Sequence, residues 1–259
     1  MPKSLMPKLP IACQLYTVRH LTQQDFPAAV AAVAEIGFRA VELAGYGSLR
    51  SAAEVHKVLE GLGMSAVASH VGIDALEKNL PELLDECQVL RCPALVLSFL
   101  PEPRRKDAGG WKTAAGMLNE AGQRCRERGV QLVYHHHHFE FQRFDGVFGL
   151  EILWRHTDPQ CLKAELDTFW LRYAGIDPVK YINRLGARTE LIHLKDLQPG
   201  QQTRFGELGT GILDFDAILA AAERAGIKWG IVEQDTTYER PALESLKISY
   251  DHLARLGAV

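Results

Sequence analysis

Residues 125–140 read CRERGVQLVYHHHHFE. A charged, helix-like tail stops at Gly129, an apolar run covers Val130–His135, and the run ends in four consecutive histidines, His135 to His138, followed by Phe139 and Glu140. A glycine just past a helix lets the chain leave through a left-handed turn. A short apolar run bounded by such a signal reads as a buried strand. The stretch is therefore one helix-to-strand junction whose strand delivers polar side chains at its C-terminal end.

The same junction recurs along the chain as IGF at 36–38, LGM at 62–64 and AGI at 225–227, and Gly186 closes another helix. Strand-like runs fall at Ile11–Leu15, Ala40–Leu43, Met64–Ser69, Ala94–Ser98, Val130–His135, Leu162–Leu166, Thr189–Leu194 and Trp229–Glu233. Amphipathic segments lie between and after them, at Phe26–Ile36, Ala52–Leu62, Leu76–Val89, Trp111–Arg128, Val147–His156, Pro178–Leu185, Phe215–Ala225 and Pro241–Leu256. Strands that alternate with helices pair in parallel through helical crossovers. A doubly wound open sheet is the other architecture for this pattern. Eight strand–helix units in 259 residues, with no GxGxxG after the first strand, favour the closed (β/α)8 TIM barrel. The expectation is one barrel domain over residues 1–259, with residues 1–9 as a loose lead-in.

Composition narrows the function. Hydrophobic residues make up 47% and charged residues 24%, with a formal charge of -3, ordinary values for a globular chain and not the basic excess of a nucleic-acid binder. No apolar run is long enough for a membrane span. MPKSLMPKLP has positive charge but no apolar core, unlike a signal peptide. The five cysteines, Cys13, Cys87, Cys92, Cys125 and Cys161, are scattered and form no CxxC pair, so neither a disulfide framework nor a thiolate zinc site is expected. A reducing cytoplasm is the expected location.

In a barrel of this kind the active site lies where strands end. The last four strands end in Tyr134-His135-His136-His137-His138-Phe139-Glu140, Glu165-Leu166-Asp167, His193-Leu194-Lys195-Asp196 and Glu233-Gln234-Asp235. Alternation along a strand puts Glu165 with Asp167, His193 with Lys195, Glu233 with Asp235 and His135 with His137 on the inward face. So many carboxylates on one rim repel one another unless a cation joins them. Carboxylates with an imidazole suit manganese, magnesium or cobalt, and zinc as well. Each residue alone has a plainer reading: His193 as a core histidine, Glu165 and Asp235 as salt-bridge partners, the histidine run as an internal affinity tag. Their joint occurrence at four successive strand ends carries the metal reading.

The segment VYHHHHFEF resembles the YHNHxFEF strand of sugar phosphate isomerase/epimerase-like barrels, the xylose isomerase-like superfamily. ELDTFW, LIHLKD and IVEQD resemble the later strand ends of that superfamily. QLYTVR (Gln14–Arg19), VELAGYG (Val41–Gly47) and SHVG (Ser69–Gly72) resemble its first three, and GELGTGILDF (Gly206–Phe215) a later loop. The resemblance implies one divalent metal, manganese first, held by Glu140, Asp167, His193 and Glu233. Some relatives place a glutamate where His135 stands, which leaves His135 or His137 as the alternative strand-five ligand. It also implies a sugar or polyol substrate and proton removal next to a carbonyl, with Glu140 and Glu233 as the acid–base pair. Isomerisation or epimerisation through an enediolate is the first expectation. Loss of a leaving group from the same intermediate, on a keto-inositol or an oxidised glycoside, is the alternative.

Further residues take supporting roles. His70 is placed to relay a proton or bind a hydroxyl, and Lys195 to neutralise charge on oxygen, its plainer role being a salt bridge with Glu165. Glu42, His135, His137, Trp170 and Arg204 are the expected substrate contacts; a rim ion pair is the plainer role for Glu42, loop packing for Trp170 and a solvated loop position for Arg204. No glycine-rich phosphate cradle is visible. A multi-zinc phosphodiesterase and a non-catalytic sugar-binding barrel are the remaining rivals. An exposed helix face leaves room for a homo-oligomer without specifying one.

Overall fold

The computed structural model describes residues 9–200 and 204–259. Most of the expected lead-in lies outside them, although Leu9 is buried. Eight strands form the barrel: β1 (Ile11–Gln14), β2 (Ala40–Leu43), β3 (Ser65–Val71), β4 (Ala94–Leu97), β5 (Gln131–His135), β6 (Leu162–Asp167), β7 (Thr189–Leu194) and β8 (Trp229–Val232). Each pairs in parallel with its neighbours in sequence, and β1 closes the ring on β8 with Ile11 opposite Gly230. The closed (β/α)8 barrel is thus as expected.

The outer helices are α1 (Phe26–Ile36), α2 (Ala52–Gly61), α3 (Leu80–Leu90), α4 (Ala108–Glu127), α5 (Gly149–His156), α6 (Pro178–Leu185), α7 (Phe215–Ala225) and α8 (Ala242–Arg255). Local chemistry sets their starts. Asp25, Ser51, Asp107, Asp177 and Asp214 each accept a backbone N–H of the first turn, satisfying a donor that has no partner within the helix. The segment expected as one helix over Leu76–Val89 is two, Ile73–Lys78 and α3. Pro81 explains the break: it has no N–H to continue the first helix, but fits the first turn of the next. Likewise Val147, expected in a helix, pairs with Phe144 across an Asp145–Gly146 turn whose residues both have positive φ.

Most of the core lies between strands and helices, where Trp111, Tyr134, Phe26 and Phe38 are buried. The barrel interior is filled separately. Ala12, Ala40, Ala68, Val96, Val133, Leu191 and Ile231 form an apolar plug. Two residues further along the strands, the same face carries Gln14, Glu42, His70, Ser98, His135, His193 and Glu233. The register of β3 slips past Val67, which keeps Ala68 and His70 pointing inward. Alternation therefore stacks a polar belt on a dry plug at the strand ends.

Candidate metal centre

His193 sits at the middle of the belt with no exposure. Its Nε2 is 2.6 Å from Glu42 Oε2 and 3.3 Å from Glu165 Oε2, and its Nδ1 is 2.7 Å from Glu233 Oε2 and 3.9 Å from Asp167 Oδ2. His135 is arranged in the same sense. Its Nδ1 lies 3.0 Å from Glu165 Oε2 and its Nε2 lies 3.9 Å from Asp167 Oδ2. Each ring thus has one nitrogen against a belt carboxylate and the other toward Asp167. A second-layer carboxylate of this sort fixes the tautomer and orientation of a metal-binding imidazole.

Among the described residues, two groups have donor atoms close enough to share an ion: His70, His135, Glu165 and His193, and Asp167, His193 and Glu233. In the first, His70 Nε2 bonds to Glu165 at 3.0 Å and His193 Nε2 to Glu42 at 2.6 Å, so those nitrogens already have partners. Each group holds buried atoms outside hydrogen-bond geometry, His135 Nδ1 and Glu165 Oε1 in the first and Asp167 Oδ2 and His193 Nδ1 in the second, the latter two lying 2.9 Å from Lys195 Nζ and 2.7 Å from Glu233 Oε2. The second group brings two carboxylates and the His193 Nδ1 edge together, a donor set that suits a divalent cation.

The carboxylates hold positive charge at this rim, where a bound cation would take the place of a proton. Burial opposes charge on His193, but Glu165, Glu233 and Glu42 outweigh it and hold its pKa well above the ordinary value. His70 shows the same balance: burial lowers its pKa, yet Glu42 and Glu165 bring it up to about 10. Burial and neighbouring His193 instead push His135 down to about 4, the neutral state a metal-binding imidazole needs.

Lys195 is 2% exposed on its side chain and reaches three carboxylates, Asp167 at 2.9 Å, Glu233 at 2.6 Å and Asp235 at 2.8 Å, instead of Glu165. Asp235 is thereby a salt-bridge partner, as its plainer reading had it, and it also lines the cavity. That cavity, about 560 Å³, opens above the belt, and its wall includes His70, His135, His137, Trp170, Lys195 and Glu233.

Three expected residues lie elsewhere. Glu140 accepts the Tyr134 hydroxyl at 3.0 Å and the His137 N–H at 2.9 Å, and belongs to neither donor group. It sits in a short helical turn, Phe139–Phe141, beyond the end of β5. Glu42 is buried under His193 and bonded by Gln14 Nε2 at 2.7 Å, so it meets the ring and not the cavity. Arg204 pairs with Glu239 and stacks on Tyr238, away from the cavity wall.

Sequence reasoning passed over Gln14, and it set His136 on the opposite face of β5 from His135 and His137, as a departure from the family motif that bears on bonding behind the site or on specificity. Gln14 shares the inward face with Ala12, a signal that alternation carried. His136 Nε2 accepts the Asp167 backbone N–H at 3.1 Å while its Nδ1 bonds the His137 carbonyl oxygen, so it positions Asp167 from the outward face. Alternation along β5 and the departure from the family motif were the signals that distinguished it.

A family model described as xylose isomerase-like TIM barrel matches residues 30–256. An inosose dehydratase of Lacticaseibacillus casei is 31% identical over 156 residues, 53% of this chain and 52% of that protein. The chain thus spans about half the length of the curated relatives it matches. A sugar phosphate isomerase/epimerase structure from Parabacteroides distasonis superposes with a TM-score of 0.83 at 22% identity, covering 100% of this chain and 98% of that one. A structure of IOLI protein with a binding zinc atom superposes at 0.75 with 14% identity, covering 96% and 98%. At these identities the structures share the fold.

Proposed function

Because the chain belongs to the xylose isomerase-like TIM barrel family, we propose that it is a divalent-metal-dependent enzyme that removes a proton next to the carbonyl of a sugar or polyol and then expels a hydroxyl or alkoxyl group. The observation that carries this is the convergence of Asp167, His193 and Glu233 at the end of the barrel lumen. These three would hold the ion, with His135 as the fourth ligand in place of Glu140. Manganese is our first choice and zinc, seen in the IOLI structure, the second. The ion supplies positive charge that polarises the carbonyl and stabilises charge building on its oxygen.

The chain's own groups do the rest. Glu233 takes the carbon-bound proton. His70, held as an imidazolium between Glu42 at 3.3 Å and Glu165 at 3.0 Å, gives a proton to the departing oxygen. Lys195 fixes Asp167 and Glu233 in place. Elimination comes ahead of epimerisation because the cavity sets a carboxylate against an imidazole. The second carboxylate expected for epimerisation, Glu140, is bonded to Tyr134 and His137 instead. The dehydratase relative supports the same order. Isomerisation or epimerisation is the second reading, since His70 is also placed to return a proton to carbon. The multi-zinc phosphodiesterase finds less support: among the described residues the two donor groups share His193. Five free, buried cysteines support the cytoplasmic placement.

The test is incubation of the metal-loaded protein in deuterium oxide with ketoses, keto-inositols and 3-keto-glycosides. Deuterium next to the carbonyl, an unsaturated product and loss of both on chelation are expected. Deuterated starting material or epimer without unsaturation would select the second reading. Exchange that survives chelation would contradict both.

A further inference from the structure

The cavity has two unlike halves. Following the inward face one step past the belt, β5, β7 and β8 contribute His137, Lys195 and Asp235 to the wall, and Trp170 lines it after β6. The corresponding positions after β1 to β3 are Tyr16, Ala44 and Gly72, and Phe99 stands next to Ser98 after β4. One half holds the carboxylates and the lysine of the wall; the other is apolar apart from His70 and Ser98. Tyr16 and Phe99 are 43% and 46% exposed, and they rank among the most exposed large hydrophobic side chains of the described residues. Both line this one cavity, at the two ends of its apolar half. Both have positioned neighbours: Arg19 stacks on the Tyr16 ring at 4.1 Å and donates to the Asp235 carbonyl oxygen at 2.9 Å, and Phe99 meets the edge of His137 at 6.2 Å. Apolar rings held open to water beside a polar belt are characteristic of a ligand surface.

A cavity of about 560 Å³ falls in the range that encloses a drug-sized ligand and exceeds the needs of one polyol ring. Charge restricts what fills the remainder. Of the cations in the cavity wall, Lys195 already faces three carboxylates and His70 faces Glu42 and Glu165, while Arg204 is paired with Glu239. A phosphate would find no uncommitted cation among the described residues of the wall.

We propose that the substrate is amphiphilic: a polyhydroxylated carbonyl ring that meets the charged half, bearing a neutral, flat apolar substituent that lies between Tyr16 and Phe99, as in an aryl glycoside. This rests on the proposed sugar or polyol chemistry and specifies its substrate class. His70 borders both halves, next to Val71 and Gly72, so the group that leaves is the one carrying the apolar substituent.

Calorimetry on the metal-loaded protein with phenyl β-D-glucopyranoside, methyl β-D-glucopyranoside and methyl β-D-glucopyranoside 6-phosphate tests it. None of the three has an acidic C–H next to a carbonyl, so the result stands apart from the fate of the elimination chemistry. The phenyl glycoside should bind about tenfold more tightly than the methyl one, the value of two aromatic contacts. Tyr16→Ala and Phe99→Ala should each shrink that ratio to about threefold or less, while Phe99→Tyr preserves it. Equal affinity for the two glycosides, tightest binding of the phosphate, or no binding of any of them at millimolar concentration would overturn the proposal.

Discussion

The two ring nitrogens of His193 have different work. Nε2 faces Glu42 and Glu165, and Nδ1 faces Asp167 and Glu233. If the first contact orients the second, Glu165→Gln should weaken metal binding about 10–100-fold with the fold intact, measured by competition with a chelator. The strand-five ligand is decided by a pair of variants. His135→Ala should lose most of the metal, and Glu140→Gln should retain it; the reverse result would restore Glu140 as the ligand. Glu140 has a second, independent signature. Burial raises its pKa to about 7 against the pull of the His137 N–H. A folded pKa above the unfolded one favours the protonated form, so its stabilising share is complete below about pH 4.5 and is lost as pH rises through 7. Glu140→Gln should therefore match the parent at pH 4.5 in urea unfolding and exceed it at pH 8 by up to about 3 kcal/mol. An unchanged difference between the two pH values would contradict that assignment.

At the scale of elements, most of the barrel was legible because two local signals agreed. Glycine marked the helix ends, and apolar runs marked the strands. What escaped depended on contacts between distant residues. The short helices Arg19–Gln24 and Thr168–Tyr173 have no long periodic face, and the split at Pro81 was hidden in an otherwise continuous apolar pattern. The site was legible in part for the same reason. Alternation along a strand placed Glu165, Asp167, His193, Lys195 and Glu233 inward, but Glu140 lies past the end of β5, where alternation no longer governs direction. The loop after β7 shows a long-range contact of consequence. The carboxylate of Asp196 accepts backbone N–H groups from Leu197, Gly209, Gly211 and Leu213. Gly211 has no room for a side chain, since a methyl there would fall 2.3 Å from the Leu197 carbonyl oxygen. Asp196→Ala should cost about 3 kcal/mol in denaturant unfolding by leaving these donors unpaired. A loss under about 0.5 kcal/mol would show that water replaces the carboxylate.

At the scale of the molecule, the barrel separates an apolar plug from a charged belt by two residues along seven of its strands, with Lys163 standing at the plug position of β6. Closing eight strands brings Glu42, Glu165, Asp167 and Glu233 together, and the fold must neutralise what it has gathered. Lys195 and His70 supply part of that charge, and a proton on His193 supplies more where no metal takes its place. A bound divalent ion would supply more and would stabilise the folded state by mass action. Metal at about a thousandfold over its dissociation constant should raise the melting temperature by roughly 10 °C over chelated protein. The most direct test of the account is the metal content of the purified, reconstituted chain by mass spectrometry, alongside Asp167→Asn and His193→Ala variants that retain the parent circular dichroism. One divalent ion per chain is expected in the parent and almost none in either variant. A parent that takes up no ion, or variants that keep a full one, would contradict it.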